Sequence, residues 1–334
     1  MTMHQVAKLI GVSPMTVSRV LSADPKVKPE TRERVKAAIK KIGYAPNAAA
    51  RSLAGAKTIR IGLLYSNPSA TYLNELLVGI LEESSAIGCQ IVLEKCGVKD
   101  ERAALDKMLE GGVDGVLFPP PLSESNALRN RLRTAKIPFV SIAGSRAGDP
   151  SLSVGIDNFE AAATMTRYLL SLGHRKIAFI LGAANQHESA ERYSGFEAAL
   201  HEAKLKPHPN FVKRGAFTYR SGLVAAEELL SSNDRPTAIF ASNDDMAAAA
   251  IATAHRLHLD VPRNLTVVGF DDTLLATTIS PTLTTVHQPI AAMARKALEI
   301  LAEEIRQRSV GGTTIPKKIL LKYSLVKRES SMSI

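Results

Sequence analysis

Polar side chains stand where apolar runs stop. Asn243 and Asp244 follow AIFAS, Asp271 and Asp272 follow TVVGF, Gln288 precedes an amphipathic stretch from about 290 to 306, and Arg192 lies near the start of a helix ending around 202. Carboxylates, amides and a guanidinium can hold several hydroxyls through paired hydrogen bonds. An aromatic ring covers the apolar face of a pyranose, and Tyr72 and Phe217 are the candidate walls. This is the chemistry of a sugar site, although a purine would use much the same groups. Singly, each residue has a plainer explanation: Asn243 or Asp271 caps the next helix, and Phe217 belongs to a core. As a set at equivalent strand ends they point to a ligand site.

The elements that must position them are strands and helices in alternation. Short apolar runs (59–65, 91–93, 115–118, 139–142, 177–181, 238–241 and 266–270) are separated by amphipathic helical stretches, the pattern of parallel sheets covered on both faces. The chain also echoes itself. SAIGCQIVLEK (85–95) and SLGHRKIAFIL (171–181) each carry a helix end, a Gly stop and a strand, and DGVLFPPP (114–121) resembles TAIFASND (237–244). Two similar lobes follow, and because ligands in such sheets bind beyond the carboxyl ends of the strands, the facing lobes should enclose a cleft.

The amino terminus has a different character. Ser13 is a good N-cap and Pro14 suits the first helical position; Val17, Val20 and Leu21 form an apolar stripe that leaves Met15, Thr16, Ser18 and Arg19 on or beside the opposite face. Upstream, Thr2-Met3-His4-Gln5 has the form of a capping box, followed by an apolar face of Val6, Ala7, Leu9 and Ile10 that ends at Gly11. Two short helices about this glycine-containing turn make a helix-turn-helix pattern. A third helix over 30–42 turns Val35, Ala38, Ile39 and Ile42 inward and Arg32, Arg34, Lys36, Lys40 and Lys41 outward. Residues 1–57 carry eleven Lys and Arg against three Asp and Glu, a net +8 of the chain's +10. Charge so confined is the footprint of nucleic-acid binding.

Composition and motifs narrow the remaining classes. The chain has 334 residues, 45% of them hydrophobic, enough for sizeable cores. No apolar run is long enough to span a bilayer and no signal-peptide core opens the chain, so a soluble cytoplasmic protein without a membrane partner is expected. Cys89 and Cys96 flank a strand and suit free thiols better than a disulfide or metal pair. There is no G-x-G-x-x-G after a strand, no P-loop, no H-E-x-x-H and no nucleophile elbow, and the histidines from His174 to His287 are scattered. Neither an enzyme nor a cofactor or metal is expected.

Several motifs in order then make a family resemblance. VAKLIGVSPMTVSRVL, GYAPNAAARSLAG (43–55), ASNDDMAAAAI (241–251), VVGFDDT (267–273) and LTTVHQP (283–289) resemble, over essentially the whole length, the transcription regulators of the lactose-repressor family. The resemblance implies an all-α helix-turn-helix domain (1–45), a hinge helix and linker (46–57), and an α/β periplasmic-binding-protein-like core of two parallel-sheet lobes (58–334). The first lobe would take about 58–157 and 289–316, the second about 158–286 and 317–328.

It also implies roles. Pro14, Met15 and Arg19 would face base edges in the major groove, and Ser13, Thr16, Ser18, Thr31, Tyr44 and Asn47 would contact phosphates. Residues 48–54 are alanine-rich and too short to be a stable isolated helix; in the family this hinge folds on DNA, with Leu53 as the minor-groove wedge and Ala50 beside it. Tyr72, Arg192, Phe217, Asn243, Asp271 and Gln288 would bind the effector. Lys28 replaces a usual serine cap, and Pro119 and Ala143 stand where several relatives have polar ligand contacts, which suggests a larger glycoside.

The expected protein is a repressor of carbohydrate-utilisation genes, nucleoid-associated in bacterial cytoplasm. It would bind a pseudo-palindromic double-stranded operator as a homodimer and be released by a sugar or glycoside. The alternatives are a purine-type co-repressed regulator and a sugar-binding protein without DNA function.

Overall fold

The computed structural model describes residues 3–21, 27–42, 58–97, 99–144, 151–309 and 318–334. The chain divides into two compact units, Met1–Ile59 and Arg60–Ile334. In the first, α1 (Met3–Ile10), α2 (Pro14–Leu21) and α3 (Pro29–Ile42) share a small core of Val6, Ala7, Val17, Val20 and Val35. Gly11, at φ +70°, reverses the chain after α1, where the Val12 amide donates to the Ala7 carbonyl at 3.1 Å. Ser13 caps α2, its Oγ accepting the Thr16 amide at 3.1 Å. Leu9 departs from the expected apolar face: it is 68% exposed, because at 100° per residue it falls on the side of α1 away from Ala7.

The larger unit holds two six-stranded sheets. The first is built from β1 (Arg60–Tyr65), α4 (Ala70–Ile87), β2 (Gln90–Lys95), α5 (Glu101–Glu110), β3 (Gly115–Phe118), α6 (Asn126–Ala135), β4 (Phe139–Ile142) and β5 (Leu152–Gly155). The second follows with α7 (Asn158–Ser171), β6 (Ile177–Leu181), α8 (His187–Glu202), β7 (Val212–Arg214), α9 (Tyr219–Leu230), β8 (Ala238–Ala241), α10 (Asp244–Arg256), β9 (Thr266–Asp271), the one-turn α11 (Leu275–Thr278) and β10 (Thr284–His287). The chain then returns to the first lobe in α12 (Ile290–Ser309) and β11 (Lys318–Leu320), and to the second in β12 (Ser324–Val326). The strand orders, β11-β5-β4-β3-β1-β2 and β12-β10-β9-β8-β6-β7, repeat one topology, and only β12 runs antiparallel to its neighbour. The apolar runs are strands buried on both faces, as at β3, β8 and β9.

The returning segments depart from the expected boundary at 317. Lys318–Leu320 pairs in parallel with Ser153–Gly155 at the open edge of the first sheet, so the crossing lies between Leu320 and Ser324. The second lobe also extends past 328: the Ser330 amide donates to Thr282 and the Ile334 amide to Leu172. Edge pairing between residues more than 150 apart leaves little local pattern to read.

Packing of α4 on α12 sets the floor of the first lobe and needs a glycine. A Cβ at Gly79 would lie 2.2 Å from the Ala291 carbonyl oxygen. Alanine normally stabilises a helix interior relative to glycine by about 1 kcal/mol, so Gly79→Ala tests the contact by sign. Thermal unfolding should show it destabilising by about 1–3 kcal/mol through overpacking; stabilisation would mean the helices are not so close.

Candidate functional site

On α2 the side chains divide as the apolar stripe requires. Val17 and Val20 are buried, Met15 is 63% exposed, Arg19 is exposed, and Pro14 and Thr16 are half-buried. The Ser13 and Thr16 hydroxyls lie 2.9 Å apart at the helix start, and Thr31 is half-buried in the first turn of α3. One short surface thus presents hydroxyls, a thioether and a guanidinium with no carboxylate on α2. Tyr44, Asn47, Ala50 and Leu53, the hinge, and the side chain of Ser18 lie outside the described residues.

In the larger unit the carboxyl ends of the strands converge on a partly open cleft of about 370 Å³, a volume that includes space continuous with solvent. The first lobe lines it with Asn67, Ser69 and Tyr72 after β1, Pro120 after β3 and Ala143 after β4. From the second lobe come Gln186, Glu188 and Arg192 after β6, Phe217 after β7, Asn243 after β8, Asp271 at the end of β9 and Gln288 after β10. All six effector candidates of the sequence line this one cavity.

Arg192 is at its centre, 4% exposed. Its Nε donates to Asn158 Oδ1 at 2.9 Å, its Nη1 donates to the Ser242 carbonyl at 2.5 Å and lies 3.7 Å from Asp271 Oδ1. The guanidinium carbon sits 3.6 Å from the centroid of Phe270 and 5.9 Å from that of Phe217. Burial pushes the Asp271 carboxyl well above the usual range, opposed by Arg192, and burial likewise lowers the Arg192 pKa. Gln288 donates from Nε2 to Asp271 Oδ1 at 3.3 Å, leaving its own Oε1 without a hydrogen bond among the described residues.

Asn243 caps and lines at once. Its Oδ1 accepts the Met246 amide at 3.0 Å at the start of α10, while its Nδ2 donates to the Phe217 carbonyl at 3.2 Å. Phe217 stands at φ +58° and Asp271 at φ +112°, backbone conformations that the surrounding contacts must hold. Gly182 makes room for the Phe217 ring, which a Cβ there would meet at 2.0 Å. Tyr72 is buried with its hydroxyl unpartnered among the described residues, and burial raises its pKa.

The two lobes also touch across the cleft. Ser69 Oγ and Thr71 Oγ1, at the start of α4, both donate to Asp245 Oδ2 on α10, at 2.5 and 3.0 Å. Asp244 and Asp272 point elsewhere: Asp244 accepts from Thr285 Oγ1 and the Thr273 amide, both at 2.7 Å, and Asp272 pairs with His287 and Arg328. These bind β9 to its neighbours and leave the cavity to Asp271.

Sequence reasoning missed Asn67, Ser69, Gln186 and Glu188. Glu188 is 3% exposed, and neither carboxylate oxygen has a hydrogen-bond partner among the described residues; burial lifts its pKa from 4.5 to about 7. The available signal was its place four residues before Arg192 on one helix, which puts both on one face. Among the described residues no group of His, Cys, Asp and Glu has metal-holding geometry, and no helix is long and apolar enough to cross a membrane.

Residues 2–47 match the family model for bacterial regulatory proteins of the lacI family, and residues 166–331 match that for a periplasmic binding protein-like domain. The chain is 36% identical over 340 residues to the HTH-type transcriptional regulator CelR of Thermobifida fusca, covering 98% of each. Among solved structures it resembles a CelR–cellobiose complex (TM-score 0.75, 34% identity, 99% of each chain covered). It also resembles the lac repressor dimer bound to operator and the anti-inducer ONPF (TM-score 0.80, 27% identity, 100% of this chain and 99% of that one). Helix-turn-helix unit, paired sheets and cleft agree with these likenesses along the whole chain, which belongs to the lacI family of bacterial regulatory proteins.

Proposed function

We propose that this member of the family is a transcriptional repressor of carbohydrate-utilisation genes, which binds a pseudo-palindromic operator as a homodimer and is released by a sugar or glycoside. The observation that carries the effector half is the cavity. Carboxylate, amide and guanidinium groups from four strand ends of the second lobe line one cavity with Tyr72 of the first, with Phe217 beside them. The likeness to a cellobiose complex supports the same chemistry.

The DNA half rests on α2. Pro14, Met15 and Arg19 would read base edges, while Ser13, Thr16, Ser18, Thr31, Tyr44 and Asn47 hold phosphates and Leu53, with Ala50, wedges the minor groove. The protein then works in the bacterial cytoplasm, at the nucleoid, by binding and without catalysis. Effector and operator are linked: whatever factor the sugar takes from operator affinity, the operator takes from sugar affinity.

Three measurements test this function. Thermal unfolding against mono- and disaccharides, aryl glucosides, sugar phosphates and purines should yield a midpoint shift with a sugar; a shift with a purine alone would replace release by co-repression. Asp271→Asn should weaken that sugar at least about tenfold, the loss of a charge-assisted hydrogen bond, while operator binding by fluorescence anisotropy stays as in the wild type. Arg19→Ala should cost about 1–3 kcal/mol on the operator, the worth of a bidentate guanine contact, and much less on random duplex; equal losses on both would make Arg19 a phosphate contact.

A fourth concerns pH. In the empty cleft Glu188 holds its proton up to about pH 7, whereas an unfolded chain releases it near 4.5. Across that window the folded state carries more protons, so stability must fall as pH rises and level off above it. Glu188→Gln removes this contribution. The melting temperature of the variant should gain on the wild type between pH 5 and about 7.5; parallel curves would show Glu188 to be solvated.

A further inference from the structure

We infer that the effector is a sugar carrying a protonated amine, seated against Glu188. This rests on the sugar assignment of the cleft and adds the charge of its ligand.

Among the described residues that line the cavity there are two carboxyls, Glu188 and Asp271, and one cation, Arg192. That cation is already engaged. Its Nε is given to Asn158, its Nη1 to the Ser242 carbonyl, and its charge lies 3.7 Å from Asp271. Glu188 is one turn earlier on the same helix, 97% removed from solvent, lining the cavity with both oxygens unpartnered among the described residues. A buried carboxyl that receives at most the amide of its own helix turn is costly to ionise, and a ligand in the cavity can supply the donors it lacks.

The sign of the field selects between donors. Glu124, in the first-lobe turn at Leu122–Glu124, and Glu191, next to Arg192, both add negative potential at Glu188, against Arg192 alone. A neutral hydroxyl would satisfy one oxygen and leave the ionised form of Glu188 as costly as it is in the empty cleft, where the carboxyl keeps its proton up to about pH 7. An ammonium supplies three donors and cancels the carboxylate charge, and N⁺–H···O⁻ bonds are about twice as strong as neutral ones. The same field opposes sugar phosphates and uronic acids. The remaining groups suit a sugar ring: Asp271 and Asn243 can take hydroxyls, Gln288 Oε1 is an open acceptor, and the Tyr72 and Phe217 rings can cover apolar faces.

The test is calorimetric titration of the full-length protein at neutral pH with matched pairs, glucosamine against glucose and the β-1,4-linked glucosamine disaccharide against cellobiose. The N-acetylated disaccharide is the size-matched uncharged control. The amine-bearing member of a pair should bind at least about tenfold more tightly, as one desolvated charge-assisted contact implies. In Glu188→Gln that preference should shrink below about threefold. Equal or tighter binding of the neutral member to the wild-type protein overturns the inference and leaves the sugar assignment standing. Binding of no member of either pair removes the sugar assignment itself, and this inference with it. The wild-type comparison decides the matter should the variant fold poorly.

Discussion

A guanidinium buried in the second lobe has to be held from every side, and the cleft is arranged around that requirement. Arg192 reaches Asn158 at the start of α7, the carbonyl of Ser242 after β8 and the carboxylate of Asp271 at the end of β9, with Phe270 stacked against it. Its contacts therefore span the ends of two strands and two helices. Removing one member of a buried pair leaves the other uncompensated, at about 3–5 kcal/mol. The positions of these strand ends are thus coupled to one another through a single side chain, and the ligand cavity is the space they leave. A ligand that competes for Asp271 perturbs the whole set.

The backbone around that pair is bent to serve it. Phe217, Asp271 and Asp272 hold positive φ, at +58°, +112° and +59°; aspartate tolerates the left-handed region, whereas a bulky Phe217 does not favour it. Small neighbours make the bends fit: Gly182 admits the Phe217 ring, and Gly269 admits Asp244, whose Oδ1 a Cβ would meet at 2.5 Å. Asp244 in turn fastens the start of α10 to Thr273 and Thr285, so that Asn243 beside it is free to cap the helix and face the cavity together. Strain at a binding site persists when surrounding contacts over-determine it, and here the polar network next to the cavity does so.

What was legible in the sequence follows from how local each determinant is. β3, β4, β6 and β8 appear at the expected residues because strands buried on both faces are continuous apolar runs. β7, β11 and β12 have three residues each and half-exposed side chains; they are strands because a distant partner offers an unpaired edge. The cleft divides in the same way. Asp271 and Asn243 could be picked out because a polar residue ending an apolar run is a local anomaly. Glu188 in the first turn of a helix is ordinary, favoured there by the helix dipole; its burial is set by the fold around it. Ser69 gives no local sign of burial, yet it is 3% exposed, with its hydroxyl donated to Asp245, 176 residues later.

The two units divide the molecule's electrostatics between two kinds of ligand. Residues 1–57 hold +8 of the net +10, so the rest of the chain carries only +2. A polyanion is therefore drawn to the amino-terminal helices, where counterion release supplies most non-specific affinity. Among the described residues the cleft is lined by two carboxyls, whose pKa values burial raises, and by one arginine already held by its neighbours. Charge segregation thus leaves the amino-terminal unit to attract a polyanion, while the one cation lining the cleft among the described residues is held by its own neighbours.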